Sequence, residues 1–204
     1  MADYFPAFLD LRGRRCLVVG GGPIGERKAR DLLTCQASVV VVSPALTPGL
    51  AALVTAGLVA HRPRGFRRAD TRGCAVVVAA TGEPAVDAAV AAAARRRHAL
   101  VNVVDDAAHC DFIVPSVLRR GQLQIAVSTG GRSPALAREI RRRLEPMFGD
   151  EYAALVEQAG RERARDRRAA RTAAGRARAG ERAARRALLR LPPAQVSPRA
   201  ARAP

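Results

Sequence analysis

The chain has 204 residues, which suffices for one ordinary domain with a smaller appended region. Its formal net charge is +17, but aromatic residues make up only 3% of the sequence and no nucleic-acid recognition motif accompanies the charge, so nucleic-acid binding is not expected. No apolar run comes near the roughly 18 residues of a transmembrane helix, so we expect no membrane span.

The cysteines and the amino terminus indicate a reduced, cytoplasmic setting. The four cysteines stand far apart and form neither a C-x-x-C pair nor a zinc-binding spacing, so no metal site is expected from them. Residues 1–15 contain acidic side chains and no long apolar stretch, and therefore do not resemble a secretory signal peptide.

A glycine-rich turn between the first predicted strand and helix is the main functional signal. The strand covers residues 16–19, a helix begins near residue 24, and Gly20, Gly22 and Gly25 have the spacing G-x-G-x-x-G. In dinucleotide-binding folds the first glycine makes the tight turn, the second lets the backbone approach a pyrophosphate, and the third lets helix and strand pack closely. The same spacing also occurs in turns with a purely structural role. The predicted cofactor contacts are Gly20, Gly21, Gly22, Pro23, Ile24 and Gly25.

The second predicted strand, Ser38–Val42, completes a βαβ unit. Its unbroken β-branched run is typical of a strand that is buried on both faces of a parallel sheet. An NAD fingerprint normally has Asp or Glu directly after this strand to hold the ribose, whereas this chain has Ser43. The choice between NAD and NADP is therefore left open. The predicted cofactor contacts here are Ser43, Pro44 and Ala45.

Strand and helix patterns continue to alternate as far as residue 104. We predict a helix over 48–56, a strand over 59–62, a strand over 75–80, a helix over 83–97 and a strand over 100–104. This alternation predicts an α/β fold, namely a Rossmann-like doubly wound parallel sheet with right-handed crossovers.

Polar residues follow the fourth and fifth predicted strands. Ligands of doubly wound sheets bind beyond the carboxyl ends of the strands, which places Asn102, Asp105 and Asp106 at the mouth of the same cleft as the glycine turn. Asp106 is interpreted as a turn residue. His109 is interpreted as a surface or packing residue, because no second His or Cys stands at metal-site spacing from it. The predicted cofactor contacts in these segments are Thr81, Gly82 and Val104.

The pattern changes after residue 111. Residues 112–118 and 123–129 are strand-like and are joined by Arg119-Arg120-Gly121-Gln122, which predicts a β-hairpin. Pro115 inside the first of these strands indicates an edge strand or a crossing point. A hairpin outside the doubly wound sheet is suited to pairing with a second subunit, so we predict a dimerisation segment and a homodimer.

The loop over residues 128–134, S-T-G-G-R-S-P, opens the next predicted helix. Ser133 is predicted to cap that helix, with Pro134 at its first position. Two interpretations of the loop stand side by side. It is either a well-capped helix start or a second anion site made of backbone N–H groups and hydroxyls.

The remaining sequence is helical, rich in alanine and strongly basic. Residues 161–204 contain 14 arginines and three acidic residues, a net charge of 14 − 3 = +11. Gly175 and Gly180 are expected to break this helical run. The predicted domains are 1–111 for nucleotide binding, 112–149 for dimerisation and the substrate loop, 150–191 for a basic helical region, and 192–204 for a disordered tail.

Five segments, in order across residues 4–150, together resemble one known family. They are V-V-G-G-G-P-I-G-E-R-K-A (18–29), A-A-T-G (79–82), V-N-V-V-D-D (101–106), F-I-V-P-S-V (112–117) and I-A-V-S-T-G-G-R-S-P-A-L-A-R (125–138). On these segments the chain resembles the siroheme synthase N-terminal family, the precorrin-2 dehydrogenases and sirohydrochlorin ferrochelatases. The hairpin and the S-T-G-G-R-S-P loop are more specific than the glycine spacing.

The resemblance implies oxidation of precorrin-2 to sirohydrochlorin, with NAD⁺ accepting a hydride. Some members of the family then insert Fe²⁺ to give siroheme. The resemblance also implies that Asp105 is the acid-base residue. A carboxylate at a strand end in a closing cleft loses part of its hydration and so becomes a better base near neutral pH.

The implied substrate is a tetrapyrrole with several carboxylates, for which arginine side chains are suitable partners. Arg138 is one such arginine, and Thr129 stands where some members of the family have serine. The predicted substrate-binding residues are Asn102, Arg120, Ser128, Thr129, Gly130, Gly131, Arg132 and Ser133.

An NAD-binding regulatory module of an ion-transport system is the alternative function. Such a module is expected to keep an acidic residue after the second strand, and it has no need of the S-T-G-G-R-S-P loop. The sequence leaves open whether chelatase activity accompanies the dehydrogenase, which protein supplies precorrin-2, and what the arginine-rich C-terminal region does.

Overall fold

A computed structural model describes residues 4–190 of the chain, which divides into two compact units with the boundary in the sequence between Val114 and Pro115. The tail predicted over 192–204 lies outside the described residues. Within residues 4–190, none of the helices is both long enough and apolar enough to cross a bilayer.

The first unit is built on a five-stranded parallel sheet with the order β3-β2-β1-β4-β5. The strands are β1 (Arg15–Val19), β2 (Ser38–Val42), β3 (Val59–Arg62), β4 (Val76–Ala79) and β5 (Leu100–Val103). Strand order reverses between β1 and β4, so their carboxyl ends flank the switch point at which doubly wound sheets bind ligands. The predicted Rossmann-like sheet is confirmed.

Helices cover both faces of this sheet, and each begins with a proline in its first turn. Ala29 and Leu50 pack against the face formed by Val18 and its neighbours, whereas Val90 packs against the opposite face with Leu17. The strands are therefore buried on both sides, which explains their continuous valine runs. The helices are α1 (Pro23–Thr34), α2 (Pro48–Thr55) and α3 (Pro84–Arg95).

The second unit consists of an antiparallel hairpin followed by helices. The predicted hairpin is present, but its turn has only two residues, Gly121 with φ +55° and Gln122, because Arg119 and Arg120 belong to the first strand and not to the connection. The first hairpin strand begins at Ser116 and not at 112, because Pro115 has no N–H to donate to a ladder. The elements are β6 (Ser116–Arg120), β7 (Leu123–Val127), α4 (Pro134–Leu144), α5 (Glu151–Ala169) and α6 (Ala173–Leu188).

The predicted helix breaks at Gly175 and Gly180 are wrong. The interruption lies before both glycines, between Ala169 and Ala173, and α6 then runs through both. Gly180 faces α5, where a Cβ would lie 3.6 Å from Nε of Arg163. Tertiary packing between α5 and α6 therefore outweighs the low helix propensity of glycine at this position.

The contact between α5 and α6 combines small apolar residues with ion pairs. Ala183 and its neighbours one turn away on either side are buried. Arg186 binds Glu162 at 3.0 Å and Asp166 at 2.6 Å, and Arg190 binds Glu162 at 2.7 Å. Hydrogen bonds from Arg190 and Arg186 lower the pKa of Glu162 to about 2. Part of the high positive charge of this region is thus matched within the helix pair.

Candidate active site

The glycine turn between β1 and α1 is packed tightly on three sides. Gly20 has φ +119°, and a Cβ there would collide with the backbone carbonyl of Ala80. A Cβ at Gly21 would collide with the carbonyl of Ala45, and a Cβ at Gly25 with the carbonyl of Gly20. Because only glycine fits at these three positions, the turn can lie against the ends of both neighbouring strands.

Gly22 is the open position of this turn. A Cβ there would meet no atom within 4 Å, and no side chain of the described residues caps α1. The amides of Ile24 and Gly25 lie in the first turn of α1, where amides have no partner inside the helix. Such amides, together with the helix dipole, favour an anion. The turn therefore fits a pyrophosphate, and the contacts expected from residues 20–25 stay predictions.

Glu26, in the first turn of α1, is engaged with protein side chains. Thr47 donates to its Oε2 at 2.6 Å, and Arg30 donates to its Oε1 at 2.7 Å. These two hydrogen bonds lower the pKa of Glu26. Thr47 also caps α2 by accepting from the amide of Leu50 at 3.1 Å, so Glu26 joins the starts of two helices. Sequence reasoning missed this link, which joins residues of different elements.

Ser43 is buried directly after β2, where an NAD fingerprint has an acidic residue. Its amide donates to the carbonyl of Arg62 at 3.3 Å, and its own carbonyl lies 2.9 Å from Nε2 of His61. Pro44 and Ala45 are exposed. All three residues lie at the carboxyl edge of the sheet, beside the glycine turn, and their cofactor contacts stay predictions.

Thr81 and Gly82 follow β4 at the same edge of the sheet. The Thr81 hydroxyl donates to Oδ1 of Asp87 at 2.8 Å, and the Thr81 amide lies 3.3 Å from the same oxygen. Asp87 is buried in the first turn of α3. This carboxylate therefore fixes the turn that carries Thr81 and Gly82. Asp87 was missed because nothing in its sequence context distinguishes it from an ordinary helix residue.

Asp105 follows β5 on the same edge, one residue after Val104. It has φ +60°, a left-handed conformation that few non-glycine residues adopt, and its side chain is exposed. Its acid-base role stays a prediction. The loss of hydration expected for this carboxylate in a closing cleft also stays a prediction, and in the first unit Asp105 is accessible to solvent.

Asp106 is a turn residue, as predicted. It accepts from the amide of His109 at 3.3 Å, and its Oδ2 lies 2.6 Å from Nδ1 of the same histidine. The hydrogen bond from His109 lowers the pKa of Asp106. Asp106 and His109 thus bracket the short 3₁₀ turn Ala107–His109 that follows Asp105.

Asn102 lies beneath this loop, with only 7% of its surface exposed. Its Nδ2 donates to the carbonyl of Phe112 at 3.1 Å and lies 3.4 Å from Sγ of Cys110. Its Oδ1 accepts from Nζ of Lys28 at 3.4 Å. The amide of Asn102 is therefore engaged with the protein, and its predicted contact with substrate stays a prediction. The sequence did not single out Lys28 for a role at this place.

Two further residues, Cys110 and Asp111, hold the loop after β5 in place. The Sγ of Cys110 lies 3.1 Å from both the amide and the carbonyl of Val103. Burial raises the pKa of Cys110, as expected for a thiol with a packing role. The carboxylate of Asp111 accepts from the amide of Val101 and from Arg95, both at 3.0 Å.

The loop over residues 128–133 belongs to the second unit and uses its hydroxyls locally. Ser133 caps α4 by accepting from the amide of Leu136 at 3.2 Å, with Pro134 at the start of the helix, as predicted. The Thr129 hydroxyl donates to the Ser133 carbonyl and accepts from the Ser133 amide, both at 3.0 Å. Ser128 accepts from the amide of Gly130 at 3.1 Å. These hydrogen bonds agree with the interpretation of the loop as a well-capped helix start. The substrate contacts of the loop stay predictions.

The arginines of the second unit differ in their surroundings. The Nε of Arg120 lies 3.4 Å from the Asp150 carboxylate, which holds the end of β6 near the start of α5. Arg132 and Arg138 are exposed on the loop and on α4. Over residues 4–190, no three side chains of His, Cys, Asp or Glu come together as a metal site would require.

Two family models match the chain. A model described as "Putative NAD(P)-binding" matches residues 7–116, and one described as "Sirohaem biosynthesis protein central" matches residues 120–147. The first covers more than half of the chain, so the sheet with the glycine turn is an NAD(P)-binding domain.

Known proteins agree with these models. The chain is 48% identical to a siroheme synthase of Thioalkalivibrio sulfidiphilus over 158 residues, which is 76% of this chain and 32% of that protein. It is 45% identical to a siroheme synthase of Nitrosomonas europaea over 162 residues, 79% of this chain and 34% of that one. The chain thus spans about a third of the length of these relatives.

One solved structure, titled "SirC, precorrin-2 dehydrogenase", superposes with a TM-score of 0.72 and 25% identity, over 89% of this chain and 88% of that chain. The folds therefore match over nearly the whole of both chains. With the sheet order, the glycine turn, the hairpin and the capped loop all in place, the chain belongs to the siroheme synthase N-terminal (precorrin-2 dehydrogenase/chelatase) family.

Proposed function

We propose that this chain oxidises precorrin-2 to sirohydrochlorin, with NAD⁺ as the hydride acceptor. One relationship in the first unit carries this proposal. The open glycine turn at Gly22 and the exposed carboxylate of Asp105 lie at the carboxyl edge of the same parallel sheet. A dinucleotide on the turn and an acid-base group beside it are the two components that a dehydrogenase needs.

The roles of the residues follow from this arrangement. The amides around Gly22 bind the pyrophosphate, and the bound nucleotide supplies the hydride acceptor. The oxidation removes one hydride and one proton from the macrocycle, and Asp105 takes the proton. The left-handed conformation of Asp105 and the fastened loop on either side of it keep the carboxylate at the edge of the sheet.

The second unit is proposed to bind the tetrapyrrole through the loop over residues 128–133 and through Arg120. The substrate is a polycarboxylate, so exposed arginines such as Arg132 and Arg138 attract and orient it. Each exposed pair of this kind adds at most about 1 kcal/mol. Their main effect is therefore on the rate of association and on its salt dependence.

We propose a homodimer in a reducing, cytoplasmic setting. The hairpin β6–β7 has only two strands within the described residues, so the outer edge of each strand offers unpaired backbone groups with which a second copy can pair. The four cysteines are free thiols, in agreement with a reducing compartment. Light scattering on the purified protein measures the mass, and a monomer at micromolar concentration contradicts the dimer.

An anaerobic assay tests the proposed reaction. Precorrin-2 is incubated with the protein and either NAD⁺ or NADP⁺, and sirohydrochlorin is followed by its absorbance. We expect turnover with NAD⁺; nucleotide binding without turnover would instead favour the regulatory module. Fe²⁺ enters only as a substrate. Its addition in a second phase, with loss of sirohydrochlorin as the readout, decides whether insertion of the metal accompanies the oxidation.

A further inference from the structure

The single lysine of the chain lies beneath the loop that carries Asp105. Lysine and arginine together number 35, and 34 of these residues are arginine, so a lysine at this one position stands out. Arginine presents a rigid planar fork, whereas lysine presents a compact ammonium that can donate from inside a small space. The compact ammonium of lysine is thus better suited to position 28 than the larger guanidinium of arginine.

Lys28 connects two elements that are distant in the sequence. It lies on α1, directly after the glycine turn, and its Nζ donates to Oδ1 of Asn102 at 3.4 Å across a separation of 74 residues. This bond orients the amide of Asn102, whose Nδ2 then donates to the Phe112 carbonyl. One chain of contacts therefore runs from the nucleotide-binding helix to the far end of the loop that carries Asp105.

The pKa of Lys28 reflects its partial burial and the charged groups around it. Burial lowers the pKa of Lys28 below its ordinary value of 10.5, and the neighbouring charge of Arg27 acts in the same direction. Asp31 on the same helix, and Cys110 and Asp105 on the loop after β5, act in the opposite direction. The ammonium is therefore partly removed from water and lies within electrostatic range of the Asp105 carboxylate.

We propose that Lys28 is a positioning residue of the dehydrogenase: by holding the side chain of Asn102, it fixes the loop that presents Asp105 at the edge of the nucleotide site. This inference rests on the proposed function, because it assigns Lys28 to that same reaction. Lys28 acts through Asn102 and takes no proton from the substrate.

Four single variants and one double variant test the role of the hydrogen bond. Lys28→Met removes the donor, Lys28→Gln restores an uncharged donor, and Arg27→Met removes a neighbouring exposed charge as a matched control. We expect kcat of Lys28→Met to fall about tenfold, as for one lost hydrogen bond to a charged group, with the KM for NAD⁺ unchanged. Lys28→Gln recovers most of that loss, and Arg27→Met matches the wild type. Asn102→Ala shows the same fall, and its combination with Lys28→Met adds no further loss.

Three results would overturn the inference: a Lys28→Met enzyme within twofold of the wild type, a loss that Lys28→Gln does not recover, or losses of Lys28→Met and Asn102→Ala that multiply. All three comparisons are made against the activity of the wild-type protein.

A measurement that needs no turnover separates this inference from the proposed function. Protein labelled with ¹³Cε-lysine and carrying a lysine-free tag gives one side-chain NMR signal, that of Lys28. We expect its titration midpoint to lie below 10.5 and to shift in Asn102→Ala, because that variant removes the acceptor of the Lys28 hydrogen bond and changes the burial of the ammonium. An unmoved signal overturns the inference. A moved signal in a protein that oxidises no precorrin-2 supports the contact and rejects the proposed function alone.

Discussion

Gly25 lies directly against the carbonyl of Gly20, so that a Cβ at Gly25 would overlap that oxygen. Gly22, two residues after Gly20 and three before Gly25, faces open space. The three glycines of one turn therefore serve different purposes. Gly20 and Gly25 allow the helix and the strands to approach each other, whereas Gly22 leaves space for a bound ligand.

Alanine substitutions separate these purposes. Gly25→Ala forces backbone atoms apart, so we expect a loss of about 1–3 kcal/mol in the free energy of unfolding. Gly22→Ala has an ordinary φ of −77° and no neighbour to meet, so its stability changes by about 0.5 kcal/mol or less. Its added methyl group faces the nucleotide, and affinity for NAD⁺ falls at least about tenfold. Calorimetric titration and thermal unfolding measure both effects; a Gly22→Ala protein with wild-type affinity contradicts this assignment.

The buried carboxylate of Asp70 makes the stability of the first unit depend on pH in the acidic range. Only 1% of its surface is exposed, and it binds Arg62, Arg64 and the amide of Arg67. Burial alone raises the pKa of Asp70, but the hydrogen bonds from Arg64, Arg67 and Arg62 outweigh burial and lower it to about 2. Since the folded value is depressed, the stabilisation is present above the unfolded value of about 3.9 and is lost as pH falls toward 2.

Asp70→Asn tests this account. We expect the free energy of unfolding of the variant to be about 2–3 kcal/mol lower at neutral pH. The substitution replaces buried hydrogen bonds to a charged carboxylate by weaker bonds to a neutral amide. Its stability then falls less than that of the wild type between about pH 4 and pH 2. The matched control is Asp10→Asn, because Asp10 pairs with Arg12 at a similar distance while both side chains are exposed. Denaturant titrations at several pH values measure this; parallel pH curves for Asp70→Asn and the wild type speak against it.

The contact between α5 and α6 depends on small side chains. Ala183 is buried between these helices, whereas Ala184, the next residue, is exposed. Ala183→Leu overfills the contact, and we expect the helix pair to lose about 1–3 kcal/mol. Ala184→Leu changes stability by about 0.5 kcal/mol or less. Hydrogen exchange of α6 amides reports the difference, and equal exchange in the two variants would show that the helices do not pack in this way.

Much of the fold could be predicted from the sequence, because the local residue patterns match the burial of the same residues in the structure. The valine runs of β2 and β4 are buried on both faces, and the predicted hairpin turns at Gly121, which has a positive φ. The start of α4 at Ser133 follows the capping preference of serine.

The remaining features depend on contacts between residues that are far apart in the sequence. The bond from Lys28 to Asn102 and the engagement of Thr81 with Asp87 leave no periodic pattern. The path of α6 through Gly180 reflects packing on α5, which outweighs local propensity. The exposure of Asp105 depends on how the loop after β5 folds, which strand patterns do not specify.

The isosteric substitution Asp105→Asn tests the central claim most directly, with Asp106→Asn as its neighbour control. Asparagine at 106 still accepts from the His109 amide, so that variant keeps the turn and most of its activity. We predict that Asp105→Asn binds NAD⁺ as the wild type does, while its kcat for anaerobic oxidation of precorrin-2 falls at least about 100-fold, the usual contribution of an acid-base group. Turnover by Asp105→Asn within about twofold of the wild type would contradict the account, since general acid-base catalysis supplies far more than that factor.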